Sequence, residues 1–309
     1  MRVLITGGTG YLGRAVVRAL AAAGHDACVF ARRASMAGLP GTAIDGDVRD
    51  AGTVGRAMAG CDGVIHMAAL VSIWRRRPAD FDEVNVGGLR HVIEAATRAG
   101  IDRIVYTSSF LALPPTGHTD HLRANDYQRT KIAADALAEE AVRAGAPIVR
   151  TYPGVVYGPG ADTEGNLVGR LIRDHLAGRL PGIVGGDHLW SFAYVEDVAA
   201  AHVAAIERGA RGARYRLGGE NAPQRRVFEI VERLTGRRMP RELPVSLARI
   251  AGRAEEWRVR LTGGQPLITT GAVRIFEHDW SFDSNLAERE LGYHITPLAE
   301  GVERTLAAL

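Results

Sequence analysis

The chain of 309 residues predicts an α/β protein: a doubly wound parallel sheet followed by a smaller, mostly helical lobe. Three observations carry this. A short apolar strand at residues 2–6 runs through Gly7-Gly8-Thr9-Gly10-Tyr11-Leu12-Gly13 into an Ala/Val/Leu helix reaching about Ala23. Short apolar runs then alternate with helical stretches, the spacing of parallel βα units. Toward the C-terminus the pattern changes to short helices and turns, at Val227 to Leu234, Val245 to Leu261, Ser284 to Leu291 and Pro297 to Leu309. The chain is accordingly divided into residues 1–155, to which 190–218 return, and a lobe made of 156–189 and 219–309.

The glycines at 7, 10 and 13 follow a strand and open a helix, the context that gives such a motif its meaning. Glycine permits the tight turn and lets backbone N–H groups, here including those of Thr9, Tyr11 and Leu12, approach a pyrophosphate at the helix N-terminus. The second strand, Asp26 to Ala31, ends in Arg32-Arg33, and no acid follows until Asp45. Where an acid would take a ribose 2′-hydroxyl, an arginine accommodates a 2′-phosphate. The expected cofactor is therefore NADP(H), with NAD(H) as the alternative and a solvated arginine pair as the plain reading.

Asp45-Gly46-Asp47-Val48 follows a third strand, and its acid either caps the next helix or faces an adenine ring. Val64-Ile65-His66-Met67-Ala68-Ala69 reads as a fourth strand, in which Ala68 and Ala69 leave room for a cofactor against the backbone. His66 reads first as a strand-end residue bonded to backbone, and second as a catalytic base. Ile104 to Thr107 is a fifth strand ending in Ser108-Ser109.

Composition narrows the classes. The formal charge is +3 and the pI about 9.1, with arginines interspersed among acids, so nucleic acid is not an expected partner. Arg75-Arg76-Arg77, the densest run, suits a solvated loop. No apolar run reaches the ~18–20 residues of a membrane span. Cys28 and Cys61 have no metal-ligand spacing, and no metal site is expected. The N-terminus opens directly in a strand without a leader, which points to a cytoplasmic protein.

Lys131 is the single lysine, against 37 arginines. It stands one helical turn after Tyr127, on the same face. A cation within ~4–6 Å favours a phenolate, so the pair is a candidate acid–base group. Alone, Y-x-x-x-K is also compatible with a surface helix.

The glycine loop, His66-Met67-Ala68-Ala69, Ser108-Ser109 and Tyr127-x-x-x-Lys131, in this order, resemble the extended short-chain dehydrogenase/reductase family, whose nucleotide domain is of Rossmann type. The likeness continues through Pro153 to Pro159, Tyr194 to Ala199, Tyr215 to Asn221 and Leu286 to Tyr293, and so spans nearly the whole chain. Within the family the chain is most similar to the dihydroflavonol reductase and 3β-hydroxysteroid dehydrogenase branch. The resemblance implies Tyr127 as general acid, Lys131 as the residue that holds the nicotinamide ribose and lowers the tyrosine pKa, and Ser109, ahead of Ser108, as donor to the substrate oxygen. It places Pro153 and Val156 beside the nicotinamide, makes Asn85 structural or part of a proton relay, and implies a homodimer through the helices at 80–99 and 126–144. The alternative is that both helices simply face the sheet.

Departures from the family pattern narrow the reading. Ser108-Ser109-Phe110 stands where the dehydratases carry Thr-Asp-Glu, so their acid–base pair is missing. Trp190 stands where sugar-nucleotide enzymes carry a diphosphate-binding arginine, which points to an apolar substrate. Trp74, Trp190, Trp257 and Trp280 are candidate pocket walls, with plain core as the default for each. The expected activity is NADP(H)-dependent transfer of hydride to or from a ketone or secondary alcohol of a hydrophobic small molecule. The alternatives are an NAD-dependent sugar-nucleotide epimerase and a catalytically silent nucleotide sensor.

Overall fold

In the computed structural model, which describes residues 1–309, the apolar runs at 2–6, 26–31, 63–66, 104–107 and 148–153 form strands buried on both faces, as a helix-covered parallel sheet requires. The first half contains β1 (Arg2–Thr6), α1 (Tyr11–Ala22), β2 (Asp26–Ala31), β3 (Thr42–Asp45), α2 (Ala51–Met58) and β4 (Gly63–His66). A helical turn, α3 (Ala79–Phe81), continues through a π-helical segment at Asp82–Gly87 into α4 (Gly88–Arg98). Then come β5 (Ile104–Thr107), α5 (Asp126–Arg143), β6 (Ile148–Pro153) and β7 (Val155–Tyr157). The remainder comprises α6 (Leu167–Leu176), β8 (Leu189–Tyr194), α7 (Val195–Arg208), β9 (Arg214–Leu217), β10 (Glu220–Pro223), α8 (Arg225–Thr235), α9 (Val245–Thr262), α10 (Thr270–Phe276), α11 (Asn285–Leu291) and α12 (Leu298–Ala307).

Seven strands form one sheet in the order β3-β2-β1-β4-β5-β6-β9, every pair parallel. The order reverses at β1, so the crevice between the carboxyl ends of β1 and β4 is the topological switch point, where such sheets bind ligands. The fourth strand stops at His66, and Met67 to Ala69 belong to the crevice loop.

Two apolar cores cover the sheet. Val16, Val17 and Leu20 of α1 pack with Val198, Ala201 and Ala205 of α7 on one face. On the other, Val54 of α2, Leu89 and Val92 of α4, and Ala134 and Ala138 of α5 enclose Leu4, Val64 and Ile104. The buried stripes of α4 and α5 thus face the sheet.

A second sheet, β10-β8-β7, holds the third core together with α6, α8 and α12. Of the 190–218 segment, β8 lies in this second sheet, while β9 completes the large one. The helices at 225–235, 245–262, 285–291 and 298–307 agree with the expected ones; α10 and the small sheet are additional.

Candidate active site

The glycine loop and the loop after β4 meet at the switch point. Gly7 has φ +75°, and a Cβ there would lie 2.7 Å from the Ala68 nitrogen. A Cβ on Gly13 would fall 2.2 Å from the Gly7 carbonyl oxygen. Both positions therefore require glycine for close backbone approach. Helix α1 has no side-chain cap and no acid in its first turn, so its opening N–H groups and positive dipole end remain available to an anion. This cradle fits a dinucleotide pyrophosphate. Tyr11 donates to the Gly158 carbonyl at 2.9 Å, tying the loop to the stretch after β7.

At the end of β2, Arg32 and Arg33 are exposed and form no ion pair. The nearby acids are engaged elsewhere. Asp45 accepts from the Ser35 amide at 2.9 Å and the Ser35 hydroxyl at 2.7 Å. Asp47 is gripped by Arg49 at 2.7 Å, which with help from Arg32 holds its carboxyl below the usual range. The capping role open to Asp45 and Asp47 belongs instead to Asp50, which accepts from the Gly52 and Thr53 amides at 2.9 and 3.1 Å. A cap must precede the first helical residue, and Asp50 alone occupies that position. Val48 buries its side chain against Gly88.

Helix α5 carries Tyr127 and Lys131 on one face toward the end of β5. Asn125 caps it, accepting from the Gln128 amide at 2.8 Å. The half-buried Tyr127 phenol is pushed up to about 12 by burial, against the lowering effect of the nearby Ser109 hydroxyl. Lys131 is buried and donates to the Thr107 carbonyl at 2.9 Å. Burial lowers its pKa to about 8, with Asp135 pulling it back up.

The two serines have different partners. Ser108 donates to Asp135 at 2.9 Å, and Tyr152 donates to the other oxygen of that carboxylate at 3.1 Å. Ser109 is left on the Tyr127 side, its hydroxyl also accepting from the Leu111 amide at 3.2 Å. Ser109 and Tyr127 are thus brought together, while Ser108 is committed to the scaffold. Lys131, one turn along α5, is engaged with the Thr107 carbonyl, so the expected lowering of the phenol does not occur and burial raises it instead. Pro153 is buried at the end of β6 and Val156 half-buried in β7.

His66 does not have a base's surroundings. Its Nδ1 lies 2.7 Å from the Thr6 hydroxyl, a side chain rather than backbone. Burial and the neighbouring Lys131 charge lower its pKa to about 3. Asn85 sits in the π-helical segment, accepting from the Leu70 amide at 2.7 Å and donating to Thr130 at 2.9 Å. It bolts the crevice loop to α5.

Three supporting residues escaped the sequence reading. Gln128, fully buried, accepts from the Ala124 amide at 2.9 Å and donates to the Leu111 carbonyl at 3.3 Å. Asp135 stands one turn after Lys131, a spacing that could have drawn attention to it. His202 lies 2.9 Å from the Thr107 hydroxyl and 3.1 Å from that of Thr151, across 95 and 51 residues, and no local signal marks it.

The wall beside Tyr127 is aromatic. Phe110 packs edge-on to Trp280 with centroids 5.4 Å apart, and Trp190 stacks on Phe276 at 5.0 Å. Trp190 and Trp280 are buried behind Phe110, Trp74 is half-buried, and Trp257 is neither core nor wall: it faces solvent on α9.

Comparison with known proteins agrees with this fold. Residues 3–218 match the NAD dependent epimerase/dehydratase family. The chain belongs to that family. It is an oxidoreductase of the extended short-chain dehydrogenase/reductase type, with a nicotinamide dinucleotide as its cofactor class. It is 35% identical to sterol demethylase protein B of Methylococcus capsulatus, over 94% of this chain and 93% of that one. It is 31% identical to a putative dihydroflavonol 4-reductase of Synechocystis, over 93% and 88% of the two chains. The crystal structure of gox2253 has a TM-score of 0.82 at 28% identity, over 99% of this chain and 97% of that one.

Proposed function

We propose that this chain is an NADP(H)-dependent reductase or dehydrogenase acting on a ketone or secondary alcohol of an apolar small molecule. The observation that carries the reading is the convergence of Ser109 and Tyr127, with Lys131 one turn along α5, beside an aromatic wall. A nicotinamide bound at the switch point would supply or accept the hydride. The chain's own residues would handle the oxygen. As a carbonyl is reduced its oxygen gains negative charge and needs oriented donors and a proton. Ser109 would donate a hydrogen bond to that oxygen and Tyr127 its phenolic proton. A phenol held near 12 stays protonated at neutral pH, the state a proton donor needs. Lys131, already aimed at the carboxyl end of β5, would meet the ribose hydroxyls and place its charge beneath the phenol.

Support for NADP(H) comes from Arg32, exposed and unpaired while Asp45 and Asp47 are held by Ser35 and Arg49. Support for an apolar substrate comes from Phe110 with Trp190 behind it and no guanidinium at that place. The relatives named for dihydroflavonol and sterol chemistry point the same way.

The deciding experiment identifies any nucleotide released from the purified protein, then titrates the emptied protein with NADPH and NADH. Exchangeable binding that prefers NADPH is expected. Arg32→Ala should weaken NADPH binding about tenfold or more, the worth of a charge-assisted bond, and leave NADH unaffected. Tightly held NAD that ignores the arginine would replace this reading with epimerisation.

A further inference from the structure

Helix α9 presents its larger apolar side chains to solvent. Ile250, Trp257 and Leu261 are 63, 66 and 67% exposed, and Leu247 and Ala254 lie on the same side. Positions 247, 250, 254, 257 and 261 alternate in steps of three and four, so they form one stripe about 21 Å long. The opposite, buried face is made of small residues, Ala248 and Gly252, with Val259. A Cβ on Gly252 would lie 2.9 Å from the Thr270 nitrogen, so close approach to α10 is what turns the large residues outward.

The charges around the stripe are of one sign. Arg253 and Arg260 flank it on one side, exposed and without an ion pair; Arg258 flanks it on the other. Both acids of the helix are engaged, Glu255 on the Arg258 flank and Glu256 against α10, so the uncompensated charge beside the stripe is that of Arg253 and Arg260. Glu255 holds Arg258 and the Leu267 amide, and Glu256 holds the Thr270 amide. A second copy docked on this stripe would bring arginines against arginines. An anionic surface with an apolar interior would satisfy both the stripe and its flanks.

We propose that α9 is a peripheral membrane anchor that lies in the interface of an anionic lipid bilayer. Trp257, Ile250 and Leu261 enter the headgroup–acyl boundary and Arg253 and Arg260 reach the phosphates. An apolar face bearing tryptophan and leucine, bordered by arginine, is the pattern of interfacial helices. No helix of the chain is long and apolar enough to cross a membrane, so attachment is confined to the surface. The anchor also adjoins the active site. Helix α10, against which Gly252 packs, touches the segment before Tyr127: a Cβ on Gly271 would lie 2.5 Å from the Ala124 carbonyl oxygen. If the proposed apolar substrate is correct, it would reach the site from the same interface, but the anchor itself does not depend on that reading.

The test is flotation of the full chain with vesicles of equimolar phosphatidylglycerol and phosphatidylcholine, and with phosphatidylcholine alone. Binding to the anionic vesicles only, released by molar salt as the Debye length shrinks to ~3 Å, is expected. Arg253→Glu combined with Arg260→Glu should weaken binding by more than tenfold, each arginine being worth roughly fivefold at a charged surface. Trp257→Ser combined with Leu261→Ser should weaken it comparably. Unchanged thermal melting and NADPH titration would show that both variants remain folded. Failure of the wild type to float, or flotation that neither variant changes, overturns the proposal. So does a wild-type dimer that ignores vesicles and becomes monomeric with Trp257→Ser and Leu261→Ser, which would make α9 a self-interface.

Discussion

The ammonium of Lys131 donates to the carbonyl of Thr107 at 2.9 Å, holding the chain's single lysine at the carboxyl end of β5. It stands 5.2 Å from the centroid of the Tyr106 ring, and burial brings its pKa from 10.5 to about 8. Between about pH 8 and 10 the unfolded chain therefore carries a proton here that the folded chain has shed. Stability contributed by this group is fully present above the unfolded pKa and is lost as pH falls through the folded one. Urea melts of the cofactor-free protein should show stability rising from pH 8 to 10, by about 2–3 kcal/mol at most from this group. Lys131→Met should remove that rise, and an equal slope in both proteins would show that the ammonium is solvated.

Tyr127→Phe should abolish most turnover while leaving cofactor affinity intact. Proton donation by a positioned group contributes about 10²–10⁴-fold. Ser109→Ala should reduce turnover by a smaller factor, on the order of 10², whereas Ser108→Ala should act through stability, since its hydroxyl serves Asp135. Steady-state kinetics beside equilibrium NADPH titration separate these outcomes.

Acid should destabilise the fold through two buried histidines. Burial holds His66 at about 3 and His202 at about 4, against an ordinary value of 6.5. As pH falls from 6.5 toward 4 the unfolded chain takes up protons at both positions and the folded chain does not. Each histidine then costs about 1.4 kcal/mol per pH unit. His202→Gln, which keeps a hydrogen-bonding side chain between Thr107 and Thr151, should make the acid limb of the stability profile shallower.

Asn85→Ala would leave the Leu70 amide and the Thr130 hydroxyl without their present partner. Thr130 still donates to the Asp126 and Tyr127 carbonyls, so the Leu70 amide alone is left unsatisfied, and a loss of about 1–3 kcal/mol is expected in denaturant melts. Asn85→Asp, which can still accept from Leu70, should lose less. Equal losses would show that the Thr130 bond carries the effect.

Much of the site is legible from neighbours in sequence. A strand, three glycines at a spacing of three and a helix start determine a phosphate-sized cradle, because backbone φ and helix N-termini are local properties. Tyr127 and Lys131 share a face because residues four apart in a helix always do. Arg32 follows β2 by counting alone. The π-helical segment that aims Asn85 is less accessible, since its residues carry ordinary helix preferences and the extra residue per turn is a response to packing.

By itself, then, the sequence determined the parallel sheet, the glycine cradle and the Tyr–Lys face, all set by short-range periodicity and backbone sterics. The tertiary structure decided which side each ambiguous group faces. It bonded Ser108 to Asp135 and left Ser109 free of that carboxylate on the Tyr127 side, although adjacent serines look alike in sequence. It joined Thr107 to His202 across 95 residues. It also turned Ala248 and Gly252 of α9 inward and Trp257 outward, against the order hydrophobicity alone would choose. The reason is steric: only a small residue lets α9 pass within van der Waals contact of the α10 backbone, and that constraint comes from a neighbouring helix, not from the sequence of α9.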